Sequence, residues 1–200
     1  MCNSTITKFK KLPYWLNFVS KQYIFEKDKK LPTHYYHFKR GTVIRVNFGI
    51  NPGSEFSFTH FAIVLDKNDS SRKNTLTVLP LTSKPGINRY CLGKDIFNQT
   101  VTLLNSQIKK INDQIPRIQQ ENLKQEAEIL AEDINQISKV AYIYQDFNKS
   151  SYVRLTDITT ISKLRITKIN KFDPSGKIKL TEKQMKDLSL EIAKLYLDKT

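Results

Sequence analysis

Cysteine is almost missing from this chain of 200 residues: Cys2 and Cys91 are the only two. That excludes a disulfide scaffold and a cysteine metal cage, and it fits a reducing, cytoplasmic setting. Long apolar runs are missing too. Phe61–Leu65 is among the longest, against the roughly 20 residues a bilayer span needs. The start, Met1–Lys11, carries charge but no apolar stretch followed by a small-residue cleavage site, so neither membrane nor export is expected. The chain has no Gly-rich phosphate loop, no His-x-x-x-His pair and no G-x-S-x-G elbow. His34 and His37 are spaced like a metal pair but lack a third ligand of a convincing kind nearby, so no metal and no cofactor are expected. Acid is scarce: 19 Asp and Glu against 33 Lys and Arg leave a net +14. A surface field of that sign draws polyanions such as RNA, DNA or anionic lipid.

What is present divides into four parts. Residues 1–38 form a basic, aromatic arm, with Tyr14, Trp15, Phe18, Tyr23 and Phe25 between Pro13 and Pro32 and a short helix expected over 14–25. Such a stripe more often packs onto a main domain; the functional reading is that it offers aromatic faces among lysines to single-stranded bases. Residues 39–96 read as strands. Thr42–Phe48 alternates, with Ile44, Val46 and Phe48 on one face. Phe61–Leu65, Thr75–Leu81 and Asn88–Ile96 follow, separated by turns at Asn51-Pro52-Gly53 and Thr82–Gly86. Short strands at this spacing predict a mainly β fold, a sandwich or a small barrel.

Residues 97–138 read as a helical insertion. Leu104, Ile108, Ile111, Ile115 and Ile118 repeat at four-three spacing, and Leu123, Ala127, Leu130, Ile134 and Ile137 form a second seam out of register with the first. Pro116 should kink or divide the helix. From 101 to 138, four Lys and Arg face six Asp and Glu, so the excess of positive charge lies on the rest of the chain. Residues 139–200 return to strands at Val140–Tyr144 and Tyr152–Thr160 and close with a helix. Thr181 and Gln184 form a capping box there, Leu180 and Met185 a hydrophobic staple, and Met185, Leu188, Ile192 and Leu195 an apolar stripe.

The chemistry on offer consists of polar residues at strand ends on a basic β domain. Gly53-Ser54-Glu55 precedes His60, Thr82-Ser83-Lys84 follows a strand, and Arg154, Thr156 and Asp157 lie on or just beyond another. Histidine, threonine and arginine without metal form a kit for cleaving RNA through its own 2′-hydroxyl: one proton leaves the 2′-oxygen, one reaches the 5′-oxygen, and the phosphorane needs donors. Each residue also has an ordinary use. Thr82 can cap a turn, Arg154 can pair with Asp157, and His60 can be a satisfied strand-end histidine.

Four segments in order resemble the PemK/MazF toxins. Lys39–Gly49 (KRGTVIRVNFG) is similar to their opening strand. Gly53-Ser54-Glu55 with His60–Leu65 resembles their GSE loop and second strand, and Val78–Ser83 (VLPLTS) their P-L-T-S strand end. Val153–Ile166 (VRLTDITTISKLRI) resembles their L-x-Q-I-R-T-I-D-K-x-R-L segment, and a C-terminal helix follows. The resemblance spans roughly 39–96 and 151–200. It implies a small SH3-like barrel, usually a homodimer, that cuts single-stranded RNA without metal to leave 2′,3′-cyclic phosphate and 5′-hydroxyl ends. It also implies a cognate antitoxin whose acidic segment occupies the RNA groove.

Carried over by position, Thr82 falls on the family's active-site threonine. His60 falls where many members have a catalytic arginine, and Arg154 where some carry a second. Asp157 replaces the usual glutamine and Thr159 the usual arginine of I-R-T. The reading is His60 for proton transfer, Arg154 for phosphate binding or acid work, and Thr82 as donor to the phosphorane. Arg40, Glu55, Ser83, Lys84, Thr156 and Asp157 are expected around the substrate. Gly53 should permit a tight approach, with Glu55 tying its loop to backbone donors or Arg40. Two other classes stand beside the nuclease: a non-catalytic nucleic-acid-binding barrel, and an interaction module acting through its helical insertion.

Overall fold

The alternation in Thr42–Phe48 becomes a strand covered on both faces. In the computed structural model, which describes residues 5–115, 123–145 and 148–197, β1 (Val43–Asn47) directs Val43 into one apolar cluster and Ile44 and Val46 into another. The same division runs through β2 (Thr59–Val64), where Phe61 and Ile63 face one cluster and Ala62 and Val64 the other, and through β3 (Thr75–Thr82), where Leu79 and Leu81 oppose Leu76 and Val78. Period-two side chains on strands apolar on both faces require cover on both.

β4 (Arg89–Gly93), β5 (Ser151–Arg154), β6 (Thr159–Ser162) and β7 (Ile166–Thr167) complete a seven-stranded antiparallel sheet among the described residues. Its path runs β4-β5-β3-β2-β1-β7, and β6 pairs with β3. The curled sheet brings Ile161 of β6 into the cluster of Ile44 and Val46. Among the described residues no ladder joins the two ends of the path, so the hydrogen bonding observed is that of an open sheet, short of the closed barrel expected. The segment read as one strand, Tyr152–Thr160, is two: it turns after Arg154, where the Asp157 N–H returns to the Arg154 carbonyl at 3.2 Å.

The other face is covered by helices. α2 (Asp95–Asn112) and α3 (Leu123–Gln145) pack against each other and the sheet. The expected division of the helical segment is observed, although Pro116 and Ile118 lie outside the described residues. The seam departs from a free-standing coiled coil. Leu104 and Ile111 are buried, whereas Ile108, Ile115 and Ile134 are exposed. The stripe of α3 that reaches the core is Leu130, Ile137, Val140 and Tyr144. Val140–Tyr144, read as a strand, therefore continues the helix. Its β-branched and aromatic residues satisfy either period, and packing against Phe61 (ring centroids 4.7 Å apart) selects the helical one. The buried Tyr144 hydroxyl donates to Asp173 at 3.0 Å, while Asp173 also accepts from the N–H groups of Ile169 and Ser175.

α4 (Glu182–Tyr196) starts on the capping box read from Thr181 and Gln184, with both reciprocal bonds formed, and buries Met185 and Leu188. α1 (Thr7–Lys27) is longer than expected, passes through Pro13 and buries no residue. Tyr14 and Tyr23 are exposed, so the arm only partly follows the packing reading. It docks through Trp15, which lies against Gly49 and under the Arg165 guanidinium, 4.9 Å from the ring. A Cβ on Gly49, whose φ is +87°, would fall 2.5 Å from the indole.

One buried charge pair ties the loops to this frame. The Lys163 ammonium lies within 2.9 Å of both Asp69 carboxylate oxygens and donates to the Tyr36 and Ser70 carbonyls at 3.0 Å. Removing one partner strands a buried charge. Asp69→Ala should therefore lower the unfolding free energy by about 3 kcal/mol, measured by urea denaturation; a loss near zero would show that the pair is not an anchor.

Candidate functional site

Strand register brings the three expected catalytic residues to one face. β2 pairs with β3 from Ala62↔Pro80 to Val64↔Val78. Extending this antiparallel register by two residues sets His60 level with Thr82. β3 pairs with β5 through Thr82↔Tyr152, and Arg154 stands two residues along β5, on the same side as Tyr152. The β2–β3 ladder stops at Ala62, and beyond it lies a cleft of about 340 Å³. His60, Thr82, Ser83 and Lys84 line it, with Arg45 and Ile143. Ser83 and Lys84 are exposed at its rim.

Arg154 joins His60 through Phe56. The imidazole packs on that ring with centroids 4.6 Å apart, and the guanidinium lies 5.0 Å from the ring centroid. The His60 pKa is lowered, first by burial and then by the Arg154 charge and more weakly by Lys11; a backbone hydrogen bond at Ser57 opposes them. A lowered pKa keeps the imidazole neutral near pH 7, the form that accepts a proton.

The ordinary uses of Thr82 and Arg154 are realised as well. The Thr82 hydroxyl oxygen accepts from the Lys84 N–H at 3.2 Å, which leaves its O–H able to donate. Arg154 Nε donates to Asp157, whose other oxygen accepts from the Thr156 hydroxyl at 3.1 Å. Asp157 and Thr156 thus serve Arg154. Asp157 sets its orientation.

Two expected substrate residues lie elsewhere. Arg40 donates to the Leu65 carbonyl and to the Ser189 hydroxyl of α4, beyond the end of β2 remote from His60. Five residues of strand at about 3.3 Å each separate Leu65 from His60. Arg40 therefore clamps α4 and cannot tie down Glu55. Glu55 is exposed at the loop tip, and the loop is held instead by Asn51, whose side-chain amide donates to the Phe48 and Phe56 carbonyls at 3.2 and 2.7 Å. At Gly53 a Cβ would meet nothing within 4 Å, so glycine serves its φ of +50° there and not a close approach.

Arg45, Phe56 and Lys11 escaped the sequence reading. Arg45 lines the cleft and donates to Thr167 at 2.9 Å. Its signal was a lone charge within an otherwise apolar strand. Phe56 carried no signal, since its role depends on two rings or charges from other strands meeting it. Among the described residues, no three His, Cys, Asp or Glu side chains gather as a metal set, and no helix is long and apolar enough to cross a membrane.

Residues 39–146, just over half of the chain, match the family model described as PemK-like, MazF-like toxin of type II toxin-antitoxin system. No curated protein matches the chain.

Removing the Arg154 charge should raise the His60 pKa towards its ordinary 6.5, because it deletes a repulsive cation. An NMR titration of His60 in Arg154→Ala measures this; an unchanged or lowered midpoint would contradict the coupling.

Proposed function

The chain belongs to the PemK-like, MazF-like toxin family, whose members are generally endoribonucleases paired with an antitoxin, and we propose that it cuts single-stranded RNA without metal by transphosphorylation. The observation that carries this is the cleft holding His60 and Thr82, with Arg154 joined to His60 across Phe56.

Neutral His60 takes the proton of the 2′-hydroxyl, and the 2′-oxygen attacks the adjacent phosphorus. The Thr82 O–H donates to a non-bridging oxygen as negative charge builds on the phosphorane. The Arg154 guanidinium neutralises charge on the phosphate and the departing 5′-oxygen, which takes its proton from solvent. The products are a 2′,3′-cyclic phosphate and a 5′-hydroxyl. Ser83, Lys84 and Arg45 hold the flanking phosphates.

In this reading the sheet and α4 are an SH3-like barrel domain in which β6, the turn at Lys163–Arg165 and β7 close one side by chain continuity. The α2–α3 pair is an insertion that covers the outer face. The protein works in the cytoplasm as a homodimer, and an acidic antitoxin segment competes for the cationic cleft.

A second reading, a cleft that holds RNA without cutting it, is favoured by the engagement of Arg154 with Asp157. Incubating the purified protein with single-stranded RNA in EDTA separates the two. Cyclic-phosphate ends are expected, with His60→Ala and Arg154→Ala each lowering kcat by about 10²- to 10³-fold. A salt-sensitive mobility shift without cleavage would establish the binder, and full activity in His60→Ala would remove the histidine from the mechanism.

A further inference from the structure

α1 is a 21-residue helix that buries no side chain in the core, yet it is fastened beside the cleft at three points. Trp15 is wedged between Gly49 and Arg165. The Lys8 ammonium donates to the Gly53 carbonyl at 2.9 Å. The Lys11 ammonium sits 5.2 Å from the Phe58 ring centroid. Phe58 itself holds a φ of +77°, a conformation that bulky residues adopt only where the surroundings impose it. Its N–H and C=O bond to Gly49 and Phe48 at 2.7 and 2.9 Å, which supply that constraint.

Between this helix and β1 lies a second open cavity, of about 560 Å³, walled by Lys11, Tyr14 and Trp15 on one side and by Arg45 and Thr59 on the other. Arg45 and Thr59 also line the His60–Thr82 cleft, so the two are consecutive compartments of one trough. Tyr14 is 78% exposed at its edge. Lys11 is close enough for its charge to act on His60. An aromatic face between cations, adjoining a site for a phosphodiester, has the composition that holds an unstacked base with its phosphates. An apolar protein segment would meet the Lys11 and Arg45 charges unpaired.

We propose that the Lys11–Tyr14–Trp15 face of α1 is a second RNA subsite, in which one base stacks on Tyr14 and the connecting phosphate lies between Lys11 and Arg45. The subsite rests on the RNA reading of the cleft and adds to it a strand length: substrate must extend past the scissile phosphate towards α1, so short RNAs are poor ligands.

The test uses the full chain and a single-stranded 2′-O-methyl RNA of about 12 nucleotides, within the usual range of single-strand sites, which cannot supply a 2′-hydroxyl nucleophile. Trp15 is the only tryptophan, and its fluorescence should change on binding. Tyr14→Ala should weaken binding about tenfold. Lys11→Ala should flatten the dependence of log K on log salt by about 0.7. Lys21→Ala, on the same helix but outside the trough, should do neither. Binding with silent Trp15 emission, wild-type affinity in Tyr14→Ala, or equal loss in Lys21→Ala would each overturn the subsite. Cleavage of unmodified RNA is scored separately. If RNA is cut but Tyr14 is dispensable, the subsite fails and the nuclease stands; if the oligonucleotide binds as described and RNA is not cut, the nuclease fails and the subsite stands.

Discussion

Both edges of β3 are hydrogen-bonded, and everything near the cleft follows from that. On one edge it pairs with β2; on the other it pairs first with β6 over Thr75–Val78 and then with β5 over Leu81–Thr82. The exchange of partners on the second edge requires the chain between β5 and β6 to turn away from the sheet. That turn sets Arg154 at a strand end, with Asp157 folded back onto it. On the first edge the ladder ends at Ala62, before His60 and Thr82 are reached. The gap is a cleft because strands that stop pairing leave polar edges to be filled by solvent or ligand.

The electrostatics match this geometry. Arg45 and Lys84 line the cleft, Arg154 adjoins it through Phe56 and His60, and α3 adds Ile143 to its wall. Cations grouped on low-dielectric walls act on a histidine as well as on a ligand. Burial and Arg154 both push the His60 proton affinity down, which keeps the imidazole free to accept a proton.

Phe56 lets a histidine and an arginine share so small a space. Its ring contacts both groups, the imidazole at 4.6 Å and the guanidinium at 5.0 Å from its centroid. Asp157 takes part of the remaining charge on Arg154. The Asn51 and Ser57 bonds hold the Phe56 loop, and Trp15 against Gly49 fixes α1 to the same region. The loop, the arm and the cleft are thus one packed unit. Lys163 and Asp69 perform the corresponding task for the segments at Tyr36 and Ser70.

Local patterns were legible in the chain itself. Alternation in Thr42–Phe48, the run Phe61–Leu65, the capping box at Thr181 and the net positive charge depend on near neighbours or on composition, and each is found where it was read. The first three of the four ordered motifs, short and contiguous, lie within the residues 39–146 that match the family. Tertiary contacts decided the rest. Val140–Tyr144 suits either period, and its packing into the core, Tyr144 against Phe61 included, makes it helix. Arg40 has the charge for a phosphate, but Leu65 and Ser189, remote in sequence, claim it. The meeting of His60, Thr82 and Arg154 is a matter of register between three strands, and register is set by the packing of whole faces rather than by any residue within a strand.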